Sequence, residues 1–214
     1  MKKIITLTVN PTIDKSTTVS GIKPNSKLRC TKPVYEAGGG GINVSRVLHK
    51  LGGNSLCMYM AGGATGKHLQ DMLVDLELLQ QVIPIAGRVR ENLSVTDTIN
   101  NQQYRCGMPG PKISEREWKN TLGQLDSVLS AGDVLVASGS LCPGMPIDFY
   151  AQVSKIAQNK KVKVILDTSG DALLKGAQAG VYLLKPNLGE LAKLCGVKTI
   201  SFLELESVDK TLLK

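Results

Sequence analysis

Residues 36–43 read Glu36-Ala37-Gly38-Gly39-Gly40-Gly41-Ile42-Asn43. Starting inside this stretch, Ile42, Val44, Val47, Leu48 and Leu51 recur at roughly helical spacing, so a helix is expected to open at the glycines and to stop at Gly52-Gly53. Four glycines in a row lose much backbone entropy when ordered, which calls for positive φ or a very close approach of backbone to a ligand. The first turn of a helix adds free N–H groups and a partial positive charge, suited to a hydroxyl-rich or anionic ligand. A flexible loop that happens to precede a helix fits the same letters. The run is neither a Walker loop nor a GxGxxG fingerprint.

Outward from the glycines, the chain alternates strands and helices. Residues 3–9, KIITLTV, form a β-rich run stopped by Asn10-Pro11, and SLCMYMAG, QQVIPIA, DVLVAS, VKVILDTS and VYLLK read as further strands. Between them TGKHLQDMLVDL, SEREWKNTLGQLDSVL, PIDFYAQVSKIAQ, DALLKGAQ and NLGELAKLCG carry helical periodicity, with Ser114 and Glu117 at capping-box spacing. A last helix is expected over FLELESVDKTLLK; it ends without cap, glycine or proline, as though the chain were cut within an element. The pattern predicts an α/β fold with a mostly parallel sheet flanked by helices.

Two stretches break that rhythm. Residues 14–36 show short β-branched and polar alternations interrupted by Gly21, Pro24 and Pro33, and residues 92–107 alternate around Asn100-Asn101, as in a tight hairpin. Together they are expected to form a small separate β-sheet lid. The division predicted is a main α/β domain of 1–13, 37–88 and 108–214, and a lid of 14–36 and 89–107.

Composition narrows the class of function. The 214 residues are 42% hydrophobic, enough for one sizeable core, and no apolar run approaches the length of a membrane span. The polar turn after MKKIITLTVNP argues against a signal peptide, so a soluble cytoplasmic protein without membrane partners is expected. Five scattered cysteines show no metal or dithiol spacing and read as reduced thiols. The net charge of +8 is dispersed and not interleaved with aromatics, which favours phosphorylated small molecules over nucleic acid.

The candidate site residues fall into groups. Asp14, just past the first strand, stands where open α/β sheets place ligand groups, although an ordinary turn aspartate reads the same. Asn43, near the helix start, can both donate and accept. Lys27 and Arg29 are expected on one face of a strand of the first region, with Arg90 between the two regions and Arg105 on the second completing a cationic cluster for an anion; singly, each fits a solvated surface charge. Lys185-Pro186-Asn187 lead into a helix with Glu190 at capping-box spacing. A cap explains both side chains; the alternative is a pair that holds the water shell of a magnesium ion beside nucleotide phosphates. Ser138-Gly139-Ser140, and Asp167 at the end of the next strand, offer small residues and hydroxyls, or mere turn formers.

Taken jointly, GGGGIN (38–43), AGGATGKH (61–68), QQYRCGMPG (102–110), SGSLCPG (138–144), ILDTSGDAL (165–173) and KPNLGEL (185–191) resemble, in order and spacing, the ribokinase-like, or PfkB, carbohydrate kinases. The resemblance runs from residue 3 to about 200. It implies ATP and Mg2+, a sugar phosphate as acceptor, and a homodimer formed through the lid. Glycine at Gly40 is similar to the minor 6-phosphofructokinases, whereas kinases of fructose 1-phosphate and tagatose 6-phosphate usually have lysine there; fructose 6-phosphate is the expected substrate.

By the same resemblance Asp14, Gly38, Gly39 and Asn43 hold the sugar. Arg90, Arg105 and Ser140 meet its hydroxyls and phosphate, with Lys27 and Arg29 helping. Lys185, Asn187 and Glu190 face ATP, the last two also the metal. The family's Gly-Ala-Gly-Asp motif, whose aspartate is the general base, does not occur in these 214 residues, and the catalytic aspartate is expected beyond Lys214. The chain alone is therefore expected to be inactive, or else to be a non-catalytic protein that binds a sugar phosphate or dimerises.

Overall fold

The structure is a computed structural model that describes residues 2–201. The helix expected over FLELESVDKTLLK lies outside the described residues. The elements run β1 (Ile4–Thr8), β2 (Thr12–Val19), β3 (Val34–Gly38), α1 (Gly40–Lys50), β4 (Leu56–Ala61), α2 (Gly63–Asp75), β5 (Gln80–Pro84), β6 (Arg90–Asp97) and β7 (Gln102–Cys106). They continue with α3 (Glu115–Val128), β8 (Val134–Ser138), α4 (Phe149–Asn159), β9 (Lys163–Asp167), α5 (Gly170–Gln178), β10 (Leu183–Leu184) and α6 (Leu188–Leu194).

Six strands form a sheet in the order β10-β9-β8-β1-β4-β5, every pair parallel. Each connection crosses over through a helix, as parallel pairing demands. Ile5 and Leu7 on one face of β1, and Val9 just beyond it, belong to one buried apolar cluster with Leu125 of α3, Phe149 and Val153 of α4 and Leu173 of α5. The other face of β1 carries Thr6 and Thr8, and hydroxyl chemistry there seats α1. Thr6 and Ser45 share a hydrogen bond of 2.8 Å, Ser55 donates to Ser45 at 2.9 Å, and Ile42 N–H donates to Thr8 Oγ1 at 3.0 Å. These threonines are fully buried, and their hydroxyls are satisfied by the helix they carry.

The two irregular stretches join into a second sheet of order β3-β2-β6-β7. Each hairpin is antiparallel, but the joint between them, β2 to β6, is parallel, with Thr12 opposite Arg90 and Val19 opposite Asp97. Ile13, Ala37 and Val89 are buried with Leu69 and Leu73 of α2, which seats this sheet on the main body.

Two local expectations change. Residues 20–33 are largely irregular; Cys30 makes only an isolated bridge to Val19, so Lys27 and Arg29 do not share a strand face. Pro24 lacks a ladder donor, and Gly21 and Asn25 take left-handed backbone, φ 82° and 57°, which breaks the strand. Polar anchors replace the ladder: the buried Asp97 carboxylate accepts from the N–H groups of Gly21, Ile22 and Ile99, each at 3.0 Å. The strand expected over VYLLK shrinks to two residues at the sheet edge, although Tyr182 and Lys185 still donate to the carbonyls of Val164 and Leu166.

Candidate functional site

The glycine run connects two groups of polar side chains. Gly39 precedes α1 with φ 118°, a conformation that favours glycine. Its neighbours are needed for their missing side chains. A Cβ on Gly38 would lie 2.2 Å from Asp14 Oδ2, and a Cβ on Gly40 would lie 2.0 Å from Ser138 Oγ. The bare backbone thus touches Asp14 of the second sheet at one end and the C-terminal edge of the parallel sheet at the other.

On the first side, Asp14, Glu36, Asn92, Ser94, Arg105 and Gly107 border a cavity of about 500 Å3. Register explains the gathering. Asp14 stands opposite Glu36 and Asn92, while Ser94 stands opposite Arg105, so alternation puts these side chains on one face of the second sheet. Asn92 Nδ2 donates to Asp14 Oδ1 at 2.9 Å. Glu36 is paired with Arg46 at 3.0 Å, and Arg46 also donates to the Ala37 carbonyl and to Asn43 Oδ1, so the exposed Asn43 is tied to the rim of the glycine run.

On the second side, Ser138 donates to Asp167 Oδ2 at 3.0 Å, and Lys185 Nζ stands 3.0 Å from Asp167 Oδ1. These residues end or follow β8, β9 and β10, the edge where parallel sheets bind ligands. Asn187 and Glu190 form a reciprocal cap on α6: Glu190 N–H donates to Asn187 Oδ1 at 2.9 Å, and Asn187 N–H to Glu190 Oε2 at 2.8 Å. Among the described residues no cluster of three His, Cys, Asp or Glu side chains surrounds a metal position.

The four expected cations do not all converge. Arg105 borders the cavity, whereas the exposed Lys27 and Arg29 do not. Arg90 lies at the joint between the sheets and donates to the carbonyls of Met108 at 3.0 Å and Asn10 at 3.2 Å, with its buried Nε unpartnered. Ser140 Oγ accepts from Asn10 Nδ2 at 3.1 Å, beside the same joint. Burial pushes the thiol of the nearby Cys142 up to about 12 despite the Arg90 charge, and its Sγ donates to the Val9 carbonyl at 3.2 Å. Sequence reasoning missed Asn92 and Asn10, because their partners are set by pairings between distant segments. A larger cleft of about 640 Å3 runs along Pro84, Ser114 and Arg116 and gathers none of the candidate residues.

No helix among the described residues is long and apolar enough to cross a membrane. Comparison with known proteins agrees with the fold. Residues 6–214 match the model of the pfkB family carbohydrate kinases. The chain is 41% identical over 199 residues to the ATP-dependent 6-phosphofructokinase isozyme 2 of Mycobacterium tuberculosis, covering 93% of this chain but only 58% of that relative's length. It is 30% identical over 211 residues to the 1-phosphofructokinase of Bacillus subtilis, covering 99% of this chain and 68% of that protein. Among solved structures, the phosphofructokinase-2 from Escherichia coli in complex with fructose 6-phosphate superposes with a TM-score of 0.93 at 37% identity, over 99% of this chain and 70% of that one. With its parallel sheet, its glycine-started helix between two polar clusters and this family match, the chain belongs to the pfkB family of carbohydrate kinases.

Proposed function

We propose that this chain carries the acceptor-binding part of an ATP-dependent kinase that converts fructose 6-phosphate to fructose 1,6-bisphosphate. The observation that carries the reading is the glycine run, whose bare backbone abuts Asp14 at one end and Ser138 at the other. A ligand lying along it meets a hydroxyl acceptor on one side and the edge of the parallel sheet on the other. Asp14 accepts sugar hydroxyls, the backbone of Gly38 and Gly39 and the amide of Asn43 border the sugar, and Arg105 offers a guanidinium to its phosphate. Arg90 and Ser140 join the phosphate site once Arg90 leaves its carbonyl partners, and Lys27 and Arg29 approach from the loop.

Lys185, Asn187 and Glu190 serve the nucleotide. A single carboxylate with Oε2 committed to the α6 cap does not build an inner-sphere metal site. It fits a magnesium ion held through its waters, which would neutralise phosphate charge when bound. No Gly-Ala-Gly-Asp sequence is present among the 214 residues, so the general base and its phosphoryl-binding amides are not supplied by them. Their absence predicts no ATP-dependent phosphorylation above background by this chain. Self-association through the second sheet belongs to the same reading, since Val34, Tyr35 and Tyr104 are exposed there.

Calorimetric titration with fructose 6-phosphate, fructose 1-phosphate, tagatose 6-phosphate and fructose tests the assignment, with fructose 6-phosphate expected to bind tightest. Tighter binding of fructose 1-phosphate or tagatose 6-phosphate would move the chain to those activities. Arg105→Ala is expected to weaken sugar-phosphate binding about 10–100-fold, the range for a charge-assisted contact, and to spare fructose. Equal loss for phosphorylated and free sugar ends the phosphate assignment.

A further inference from the structure

Asn92 stands directly opposite Asp14 in the parallel ladder of β2 and β6, and its amide is used in two directions. Nδ2 donates to Asp14 Oδ1 at 2.9 Å, while Oδ1 accepts the Met108 N–H at 2.9 Å. The two partners fix the amide's orientation, because a carboxylate needs the donor end and an N–H needs the acceptor end. On the far side of the carboxylate, Asp14 Oδ2 faces Gly38 so closely that a Cβ there would lie 2.2 Å away. Asp14 is thereby clamped between an amide donor and bare backbone. Its Oδ2 accepts no hydrogen bond from the described residues and stays available to a hydroxyl donor.

The clamp reaches further. Met108, whose N–H is held by Asn92, gives its carbonyl to Arg90, and Arg90 also binds the carbonyl of Asn10 at the end of β1. One amide therefore sets the acceptor carboxylate and the exit of the second hairpin together. We infer that Asn92 is a positioning residue for the acceptor sugar, acting through Asp14: it holds the carboxylate in the single orientation that presents Oδ2 to a sugar hydroxyl. This rests on the sugar-phosphate reading given above.

Asn92→Asp is the discriminating variant. It is isosteric, keeps an oxygen for the Met108 N–H, and reverses only the arm toward Asp14, placing a second carboxylate where the donor stood. Fructose 6-phosphate affinity is measured by calorimetry for the 214-residue chain, Asn92→Asp, Asn92→Ala, Asp14→Ala and the Asp14→Ala/Asn92→Asp double variant. Asn92→Asp is expected to weaken binding about tenfold or more, and Asn92→Ala somewhat less, as loss of a charge-assisted contact implies. In the Asp14→Ala background the Asn92→Asp change should shift affinity by less than about twofold, the signature of two residues acting as one. Equal losses in both backgrounds, or wild-type affinity in Asn92→Asp, overturn the inference while leaving the sugar-phosphate reading intact. No saturable binding by the unaltered chain, or undiminished binding by Asp14→Ala, ends the reading and the inference with it, and either result is visible before Asn92 is altered.

Discussion

In the six-stranded sheet the central strand β1 is buried from Ile5 to Thr8, while in the four-stranded sheet β7 is exposed along its whole length. The first is stabilised by apolar side chains covered by helices; the second rests on a small apolar seat and leaves polar side chains, with Val34, Tyr35 and Tyr104, open to water. The division separates two demands that conflict. A rigid scaffold needs surface hidden from water, and a binding face needs hydroxyl, amide and charged groups open to it. The glycine run lies at the contact between the two, which is why both candidate clusters meet there.

Phe149 is fully buried and packs edge-on to Tyr150 with ring centroids 5.6 Å apart, so Phe149→Ala should cost about 3–5 kcal/mol in a urea titration. Tyr104 in β7 is 43% exposed, and Tyr104→Ala should change stability by about 0.5 kcal/mol or less. Comparable losses at the two positions would mean that the second sheet has a core of its own.

At the contact, Gly40→Ala forces a methyl onto Ser138, and the cost expected of overpacking is about 1–3 kcal/mol. Fructose 6-phosphate binding should fall with it, because α1 must lift from both clusters. Unchanged binding in a destabilised protein would detach the glycine run from the site.

The smallest effect concerns Asp97. The N–H groups of Ile99, Ile22 and Gly21 hold its carboxyl below the usual carboxylate range. A depressed folded value means that its contribution is complete above the unfolded carboxylate range near pH 4, and is lost as pH falls through the folded value. The unaltered chain should therefore lose stability on acidification below about pH 4 more steeply than Asp97→Asn, as read by thermal melts across pH. Parallel pH curves would show that the loop at 20–33 is held by other means.

What could be read beforehand follows the same divide. The strands and helices of the parallel sheet are legible because burial writes itself locally, as in KIITLTV or DVLVAS, and because caps such as Ser114 with Glu117 have fixed spacing; that box is present. The second hairpin was legible from alternation, and the first only in part, since its return strand begins at Val34. The parallel joint of β2 and β6 was not, since no local letter specifies which distant strand is a neighbour. Asn92 against Asp14 and Lys185 against Asp167 depend on such joints. The run around Lys27 and Arg29 alternates like a strand, yet its turn residues outweighed the alternation.

The parallel joint also has a history. Thr12 and Arg90, its first pair, are 78 residues apart, and the β2–β3 hairpin is complete at Gly38, about fifty residues before β6 begins. At the pace of ribosomal synthesis that interval lasts roughly 3–10 s, during which the nascent hairpin offers an unpaired edge. The letters of β2, with Asp14, Lys15, Ser16, Thr17 and Thr18 in succession, make that edge a poor template for another chain. The polarity of β2 thus keeps a strand that must wait for its partner from pairing with the wrong neighbour.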